Sequence, residues 1–117
     1  MKTLLIIPAY NEARNIVGVT QAVAEAGYDF IVVNDGSTDS TLEICRENGL
    51  PILDLKQNLG IGGAVQAGHK YALEHDYDVD VQFDGDGQHD VEYVASLLDL
   101  IEKGADLAIG SRFLERT

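Results

Sequence analysis

Two aspartates separated by one glycine form the most chemically suggestive segment of the sequence. Asp84, Gly85 and Asp86 follow an apolar stretch, and Gln88 adds another side-chain oxygen at the same alternating spacing. Carboxylates this close repel each other unless a cation neutralises them, and oxygen ligands of this kind suit Mg²⁺ or Mn²⁺. The alternative is a plain Asp/Gly-rich turn in which Asp90 caps the next helix. Capping alone does not require the first two aspartates, so the pattern favours a divalent-cation site.

A second polar cluster, residues 34–39, reads Asn-Asp-Gly-Ser-Thr-Asp. The carboxylate of Asp35 can accept a hydrogen bond from the N–H edge of a base or from a ribose hydroxyl. Ser37 and Thr38 are residue types that commonly cap helices. We therefore predict a binding role for Asp35 and a capping role for Ser37 or Thr38.

A third cluster, residues 8–12, reads Pro-Ala-Tyr-Asn-Glu. Pro8 is expected to end the preceding apolar strand, since proline cannot donate to a strand ladder. Tyr10 offers a flat ring to a base, and Glu12 offers an acceptor to ribose or base groups. Asn11 has an alternative role as the cap of the first helix.

Two further segments allow more than one interpretation. Residues 58–64 contain three glycines, but the dinucleotide-binding fingerprint requires glycine where this loop has Val65. The loop therefore predicts close backbone packing at a helix start, with anion contacts through free N–H groups left open. Arg112 fits a diphosphate partner or a surface arginine equally well.

Apolar strands and amphipathic helices alternate along the chain, and each polar cluster follows a strand. The pattern predicts strands at residues 3–7, 30–33, 52–55, 79–83 and 107–109, and helices at 16–26, 38–48, 61–72 and 91–101. This order predicts an α/β fold: a doubly wound, mainly parallel sheet with helices on both faces. Ligands of such sheets bind beyond the carboxyl ends of the strands. We therefore expect the clusters after the first, second, fourth and fifth strands to form one site.

The fourth predicted strand has an unexpected polar face. Asp80, Gln82 and Asp84 alternate with apolar residues, whereas a central parallel strand is normally apolar on both faces. Either this face is solvated, or an element that would cover it is absent.

Composition limits the classes of partner. The chain has 117 residues, which suits one domain, and its formal net charge is −12. This balance excludes the electrostatic mode of nucleic-acid binding and disfavours anionic membrane surfaces. A phosphate must therefore be bound locally, by backbone N–H groups, a cation or one arginine. The single Cys45 allows no internal disulfide and predicts a reducing compartment such as the cytoplasm.

Taken in order, the clusters at residues 8–12, 34–39, 58–63, 84–88 and 110–112 resemble the family 2 glycosyltransferases, over the whole chain. The most similar subgroup is the dolichyl-phosphate mannose synthase type. The resemblance implies a Rossmann-like GT-A fold, a UDP- or GDP-sugar donor, and Mg²⁺ or Mn²⁺ on the donor diphosphate. It also implies inversion at the anomeric carbon, and it admits a polyprenyl phosphate as acceptor.

The resemblance implies roles for particular residues. The positions that would hold the nucleotide are Pro8, Ala9, Tyr10, Glu12, Asp35, Asp84 and Gly85. The positions that would hold the metal are Asp84, Asp86 and Gln88. Asp86 and Arg112 would act in catalysis, because the metal and the arginine would neutralise charge on the leaving nucleoside diphosphate.

Two departures from the family pattern shape what we expect of this chain. Asn34 stands where many relatives have aspartate, and family catalytic domains are about twice as long. We therefore expect residues 1–117 to be the donor-binding part of a domain truncated at its C-terminus, with little transfer activity alone. Exposed sheet edges would then favour a homo-oligomer, and membrane association would depend on missing segments or a partner. The alternative is a non-catalytic nucleotide- or metal-binding module.

Overall fold

The computed structural model describes residues 2–83, 94–96, 98–99 and 111–113. Its elements in chain order are β1 (Thr3–Ala9), α1 (Ile16–Glu25), β2 (Asp29–Asp35), α2 (Thr41–Glu47), β3 (Ile52–Leu55), α3 (Gly60–Glu74), β4 (Val79–Gln82) and β5 (Ser111–Phe113). Residues 94–96 and 98–99 are also helical, inside the helix expected at 91–101.

These strands form one sheet in the order β3-β2-β1-β4-β5. β1 lies between β2 and β4 and is parallel to both, and β3 is parallel to β2. Only β5 runs antiparallel, against β4. The prediction of a mainly parallel sheet is therefore confirmed.

Helices cover both faces of this sheet because the side chains of β1 alternate between them. Leu5 and Ile7 belong to a buried cluster with residues of α1, Cys45 of α2 and Val94. Leu4 and Ile6 belong to a second buried cluster with alanines of α3. The doubly wound arrangement is confirmed, with α1 and α2 on one face and α3 on the other.

Pro8 lies inside β1, so the expectation that it ends the strand is wrong. Its Cα pairs with that of Val33, and β1 continues to Ala9. Ile6 accepts a hydrogen bond from the Phe83 N–H at 2.8 Å, so its backbone polar groups point towards β4. Pro8, two residues later, points the same way, beyond the last β1–β4 register pair. Its missing N–H therefore costs no ladder bond there.

Arg112 lies within β5, whereas its cluster was expected to follow a fifth strand at the shared edge of the sheet. The Cα of Arg112 pairs with that of Asp80, so this segment lies directly against β4. The strand expected at residues 107–109 lies outside the described residues. Homo-oligomerisation through open edges stays a prediction.

The polar face of β4 has an explanation that the sequence analysis did not consider. Asp80 is only 3% exposed, and its Oδ2 lies 2.6 Å from Nδ1 of His69 on α3. At Asp80 the face is therefore covered by a helix that supplies a polar partner, while Gln82 is half-buried and Asp84 lies outside the described residues. An aspartate can occupy this central strand because His69 satisfies it.

Candidate nucleotide-binding site

The site forms where β1 and β2 end side by side. Ala9 pairs with Asn34 in the parallel register, so Tyr10 and Asp35 follow at the same edge of the sheet. Ala9 and Asp35 are buried, Pro8 is half-buried, and Tyr10 is 45% exposed. The structure therefore brings together the nucleoside-binding residues that were predicted on these two strands.

Asn11 joins the loops that follow β1 and β2. Its φ of +55° places it in the left-handed region, which asparagine tolerates better than most residues. Its Oδ1 accepts hydrogen bonds from the backbone N–H groups of Thr38 (2.8 Å) and Asp39 (3.2 Å), and its own N–H donates to Oγ of Ser37 (3.0 Å). Asn11 thus caps residues of the second loop, and the alternative that it caps α1 is wrong.

A second set of bonds between these loops centres on Thr41, the first residue of α2. Its buried Oγ1 accepts a hydrogen bond from the Glu12 N–H at 3.0 Å and donates one to Oδ1 of Asp39. Oδ2 of Asp39 accepts a hydrogen bond from the Ala13 N–H at 3.3 Å. Burial alone would raise the pKa of Asp39, but the bonds from Thr41 and Ala13 hold this pKa below its ordinary value.

Because these bonds occupy the second loop, α2 begins at Thr41, three residues later than predicted. The capping role expected of Ser37 or Thr38 is wrong, since the residue before the helix is Ser40. Ser37 and Thr38 instead bind Asn11. Residues that looked like a helix start therefore serve to join two loops.

Glu12 orients the start of α1. Its carbonyl oxygen accepts hydrogen bonds from the N–H groups of Asn15 (3.0 Å) and Ile16 (2.9 Å). Its Oε2 accepts a bond from the Asn15 side chain at 3.1 Å. Glu12 is half-buried at the same edge as Asp35. The bond from Asn15 engages Oε2 of its carboxylate and not Oε1.

Asp35 is held from the opposite direction by the loop that precedes α3. Its Oδ1 accepts a hydrogen bond from the Leu59 N–H at 2.7 Å. Gly36 has a φ of +67°, and a Cβ on it would lie 2.6 Å from the Asn58 nitrogen and 2.8 Å from the Gln57 carbonyl carbon. Only glycine permits this close approach, which fixes the Leu59 N–H against Asp35.

Of the glycines in the 58–64 loop, Gly63 serves the close packing that was predicted at the helix start, and Gly60 and Gly62 do not. A Cβ on Gly63 would lie 2.5 Å from Cβ of Leu59, whereas one on Gly60 or Gly62 would meet nothing within 4 Å. Gly60 is needed instead for its φ of +81°. A second tight contact lies further on, at Gly68, where a Cβ would come within 2.4 Å of the Ile6 side chain.

The predicted metal ligands Asp84, Asp86 and Gln88 lie outside the described residues, as does Gly85. Within residues 2–83, 94–96, 98–99 and 111–113, no three His, Cys, Asp or Glu side chains are grouped so as to hold a metal. Asp84 is the next residue after Phe83, whose N–H binds Ile6 of β1. In the sequence, the predicted metal segment therefore begins two residues after the end of β4 at Gln82.

Three groups at this edge were not identified from the sequence as joining the site: the Asn11 side chain, the Thr41 hydroxyl and the Leu59 N–H. The polar type of Asn11 and Thr41 was visible, but the partners lie about thirty residues away in sequence. A backbone N–H has no signature in a sequence at all.

No helix in the described part of the chain has the length and apolar character to cross a membrane.

Comparison with known proteins supplies independent information. Residues 4–116 match the family model for glycosyl transferase family 2. Polyprenol monophosphomannose synthase of Mycolicibacterium smegmatis is 38% identical over 97% of this chain and 46% of its own length. Undecaprenyl-phosphate mannosyltransferase of Micrococcus luteus is also 38% identical, over 96% of the chain and 49% of its own length. The chain thus spans about half the length of these curated relatives.

A solved structure also shares the fold. The crystal structure of S. aureus TarS 1–349 in complex with UDP superimposes with a TM-score of 0.65 at 25% identity. The match covers 85% of this chain and 32% of the TarS chain.

Proposed function

The chain belongs to glycosyl transferase family 2, and from this premise we propose that residues 1–117 form the nucleotide-sugar-binding part of a metal-dependent, inverting glycosyltransferase. The observation that carries the proposal is the joined edge of β1 and β2, where Asp35 and Tyr10 lie side by side. The whole enzyme would transfer a sugar from a UDP- or GDP-sugar to an acceptor.

The nucleoside would lie against this edge. Tyr10, with 45% of its surface exposed, offers a ring face for the base. Asp35 and Glu12 supply carboxylate oxygens that accept hydrogen bonds from N–H or O–H groups of base and ribose. Support comes from TarS, a protein of the same fold that was crystallised with UDP.

The diphosphate would bind through a divalent cation held by Asp84, Asp86 and Gln88. The fit rests on the chemistry of the donor set, since two carboxylates and an amide oxygen suit Mg²⁺ or Mn²⁺. A cation is also needed for charge balance, because Glu12, Asp35 and Asp39 already make the edge acidic and a diphosphate would be repelled. When bound, the metal would neutralise charge that develops on the leaving diphosphate.

Arg112 would assist the departure of the diphosphate as a second cation. Its backbone lies on β5, where it pairs with Asp80 of β4, and β1 and β4 separate it from β2. An arginine gives charge-assisted hydrogen bonds to phosphate oxygens and stabilises the charge released when the sugar–phosphate bond breaks. Inversion of the anomeric carbon follows from direct attack by the acceptor opposite the leaving group.

The acceptor we propose is a polyprenyl phosphate. Two relatives with 38% identity are named for polyprenol monophosphomannose synthesis and for mannosyl transfer to undecaprenyl phosphate. A phosphate acceptor is already ionised at neutral pH and attacks without a general base.

Calorimetry with UDP and GDP, in the presence and absence of Mn²⁺, tests the proposal. We expect one of the nucleotides to bind with Mn²⁺ and to lose most of its affinity after addition of a chelator. Asp86→Asn should weaken metal-dependent binding at least about tenfold, since it removes a charged ligand. Glu25→Gln, which neutralises an exposed carboxylate at the end of α1, is the matched control and should bind like the parent. Equal affinity with and without metal contradicts the metal site, and absence of binding under both conditions contradicts the function.

A further inference from the structure

We infer that two copies of this chain associate through the free edge of β3, paired antiparallel about Leu55 so that Asp54 of each copy faces Lys56 of the other. The inference goes beyond the proposed function, since the contact needs neither nucleotide nor metal. It narrows the predicted homo-oligomer to one edge of the sheet and one register. It depends on the open backbone groups of β3, the position of a proline, the charges beside the strand and the apolar surface next to it.

β3 has an open edge in the described part of the chain, where it pairs only with β2. Its four residues, Ile52–Leu55, are all half-buried. The carbonyl oxygen of Pro51 accepts a hydrogen bond from the Val32 N–H at 3.0 Å, so the backbone polar groups of residue 51 point towards β2. Because successive residues of a strand alternate, those of residues 53 and 55 also point towards β2, and those of 52, 54 and 56 point away from it. A second strand can bond to these outward groups.

Proline does not protect this edge. Proteins commonly blunt an edge strand with proline or with charged side chains. Pro51 precedes β3, but its missing N–H lies on the side of β2, to which its carbonyl group points. The two charged residues, Asp54 and Lys56, are opposite in sign. They therefore oppose pairing in some registers and favour it in one.

Charge selects the register of the pair. Two identical antiparallel strands are related by a two-fold axis, and open residues must lie opposite open residues. With the axis at Asp54 or at Lys56, that residue would face its own copy, and like charges directly opposite destabilise a pair. With the axis at Leu53, Asp54 would face the apolar Ile52. With the axis at Leu55, Asp54 faces Lys56 on both sides of the axis, so two opposite-charge pairs form.

Both charged groups are available for these pairs. Lys56 is exposed, and its side chain has no ion pair or hydrogen bond with any described residue. Asp54 accepts the Asn34 amide at 3.1 Å on Oδ1, and its Oδ2 lies 4.0 Å from Nη2 of the exposed Arg46. A carboxylate has room for a further donor. The net charge of −12 makes two copies repel each other at long range, so a local match of opposite charges is required to bring them together.

An apolar groove beside this edge adds contact surface. The groove lies between β3 and α3, has a volume of about 300 Å³ and is lined in part by Leu53, Leu55, Ala67 and Tyr71. Both leucines pack against the buried cluster that contains alanines of α3. In the inferred register Leu55 lies directly opposite its own copy, in a close pair that is not hydrogen-bonded. The two leucines cover each other and part of both grooves, which removes apolar surface from water.

Sedimentation equilibrium of the whole chain, without nucleotide or metal, tests the inference. We expect a monomer–dimer equilibrium. Lys56→Glu turns both opposite-charge pairs into like-charge pairs and should raise the dissociation constant of the dimer at least about tenfold. Arg14→Glu makes the same change of charge at an exposed position between β1 and α1, so this matched control should dimerise like the parent. A parent that stays monomeric up to about 1 mM, or a Lys56→Glu variant that dimerises as tightly as the parent, overturns the inference.

Exchange of the two charges provides a result that loss of folding cannot imitate. Asp54→Lys alone should also weaken the dimer, because lysine would then face lysine. An equimolar mixture of Asp54→Lys and Lys56→Glu should form a heterodimer, in which both facing pairs again have opposite charges. Far-UV circular dichroism establishes that each variant is folded before mixing. A mixture of folded variants that remains monomeric contradicts the inference.

Cysteine variants test the register itself, and they decide the matter where Asp54→Lys does not fold. In the inferred register the Cα of Leu55 lies about 4.5 Å from that of its copy, whereas Leu53 and its copy are offset by four residues, or about 13 Å. In oxidised glutathione, Leu55→Cys should therefore form a disulfide-linked dimer and Leu53→Cys should not. Cys45 is fully buried and is common to both variants. Equal cross-linking of the two variants, or none by Leu55→Cys, contradicts the inference.

Discussion

Gly36→Ala tests the close approach that fixes Asp35, and the structure provides a matched control in Gly49→Ala. The two glycines have almost the same φ, +67° and +66°. A Cβ on Gly36 would lie 2.6 Å from a backbone nitrogen, whereas one on Gly49 would meet nothing within 4 Å. Both substitutions incur the left-handed backbone penalty, and only the first adds a clash with main chain that cannot rotate away.

The expected magnitudes follow from these two terms. The backbone penalty is about 1 kcal/mol for alanine in the left-handed region, so Gly49→Ala should lower the free energy of unfolding by that amount. Overpacking against fixed neighbours costs about 1–3 kcal/mol more. Gly36→Ala should therefore destabilise the chain by about 2–4 kcal/mol in total.

Urea unfolding followed by far-UV circular dichroism measures both free energies, since the chain has no tryptophan to report by fluorescence. Gly36→Ala should also weaken nucleotide binding at temperatures where it stays folded, because the clash displaces the loop that holds Asp35. Gly49→Ala should leave binding unchanged. Equal destabilisation by the two substitutions would refute the argument from close approach.

Three further predictions concern other contacts. Asn11→Gly keeps the left-handed backbone but loses the Oδ1 acceptor, whereas Asn11→Asp keeps an oxygen at that place. Asn11→Gly should therefore weaken nucleotide binding more than Asn11→Asp does. Equal nucleotide affinities of the two variants would contradict this. Burial and the bond to Asp29 raise the pKa of Tyr77 to about 12. Its protonated phenol therefore stabilises the fold fully below the ordinary tyrosine pKa of about 10, and this contribution is lost as the pH rises from there through 12. Titration of tyrosinate absorbance should show a late phenol that moves to lower pH in Asp29→Asn, and absence of a late phenol would refute the assignment. Asn34→Asp replaces the amide that donates to Asp54 at 3.1 Å with a second carboxylate, and the two carboxylates should repel each other. The variant should therefore have a lower melting temperature than the parent at pH 7, and the difference should shrink at low pH, where the carboxylates are protonated. A melting temperature equal to the parent's at pH 7 would contradict this.

Regular features of the fold were predictable because they depend on local pattern. Continuous apolar runs located β1 to β4, and apolar residues at helical spacing located α1 and α3. The rule that ligands bind beyond parallel strands then placed Asp35 and Tyr10 at one edge without any structure.

What was not predictable depends on partners that are distant in sequence. Asp80 looked anomalous in a central strand because its partner, His69, lies on a helix. Pro8 looked like a strand terminator because only the register shows that no ladder bond is required of it. Asn11 looked like a local cap, but its acceptor serves N–H groups 27 and 28 residues away. Local pattern carries no information on such pairs.

The same limit explains the difference at position 34. The family resemblance placed Asn34 in a nucleoside cluster, whereas its side chain donates to Asp54 of β3 and accepts from the Ser37 N–H at 3.4 Å. Asn34 lies at the edge of the sheet where the nucleoside site was predicted, but its side chain binds Asp54 and Ser37. Its amide donates to the Asp54 carboxylate on the neighbouring strand, which an ionised aspartate at this position could not do.

A crystal of the chain with Mn²⁺ and UDP, measured at a wavelength where manganese scatters anomalously, tests the central claim most directly. We expect one strong anomalous peak bonded to Asp84, Asp86 and the diphosphate, with the base beside Tyr10 and Asp35. A peak at any other place, or a nucleotide bound away from the carboxyl ends of β1 and β2, would contradict the account.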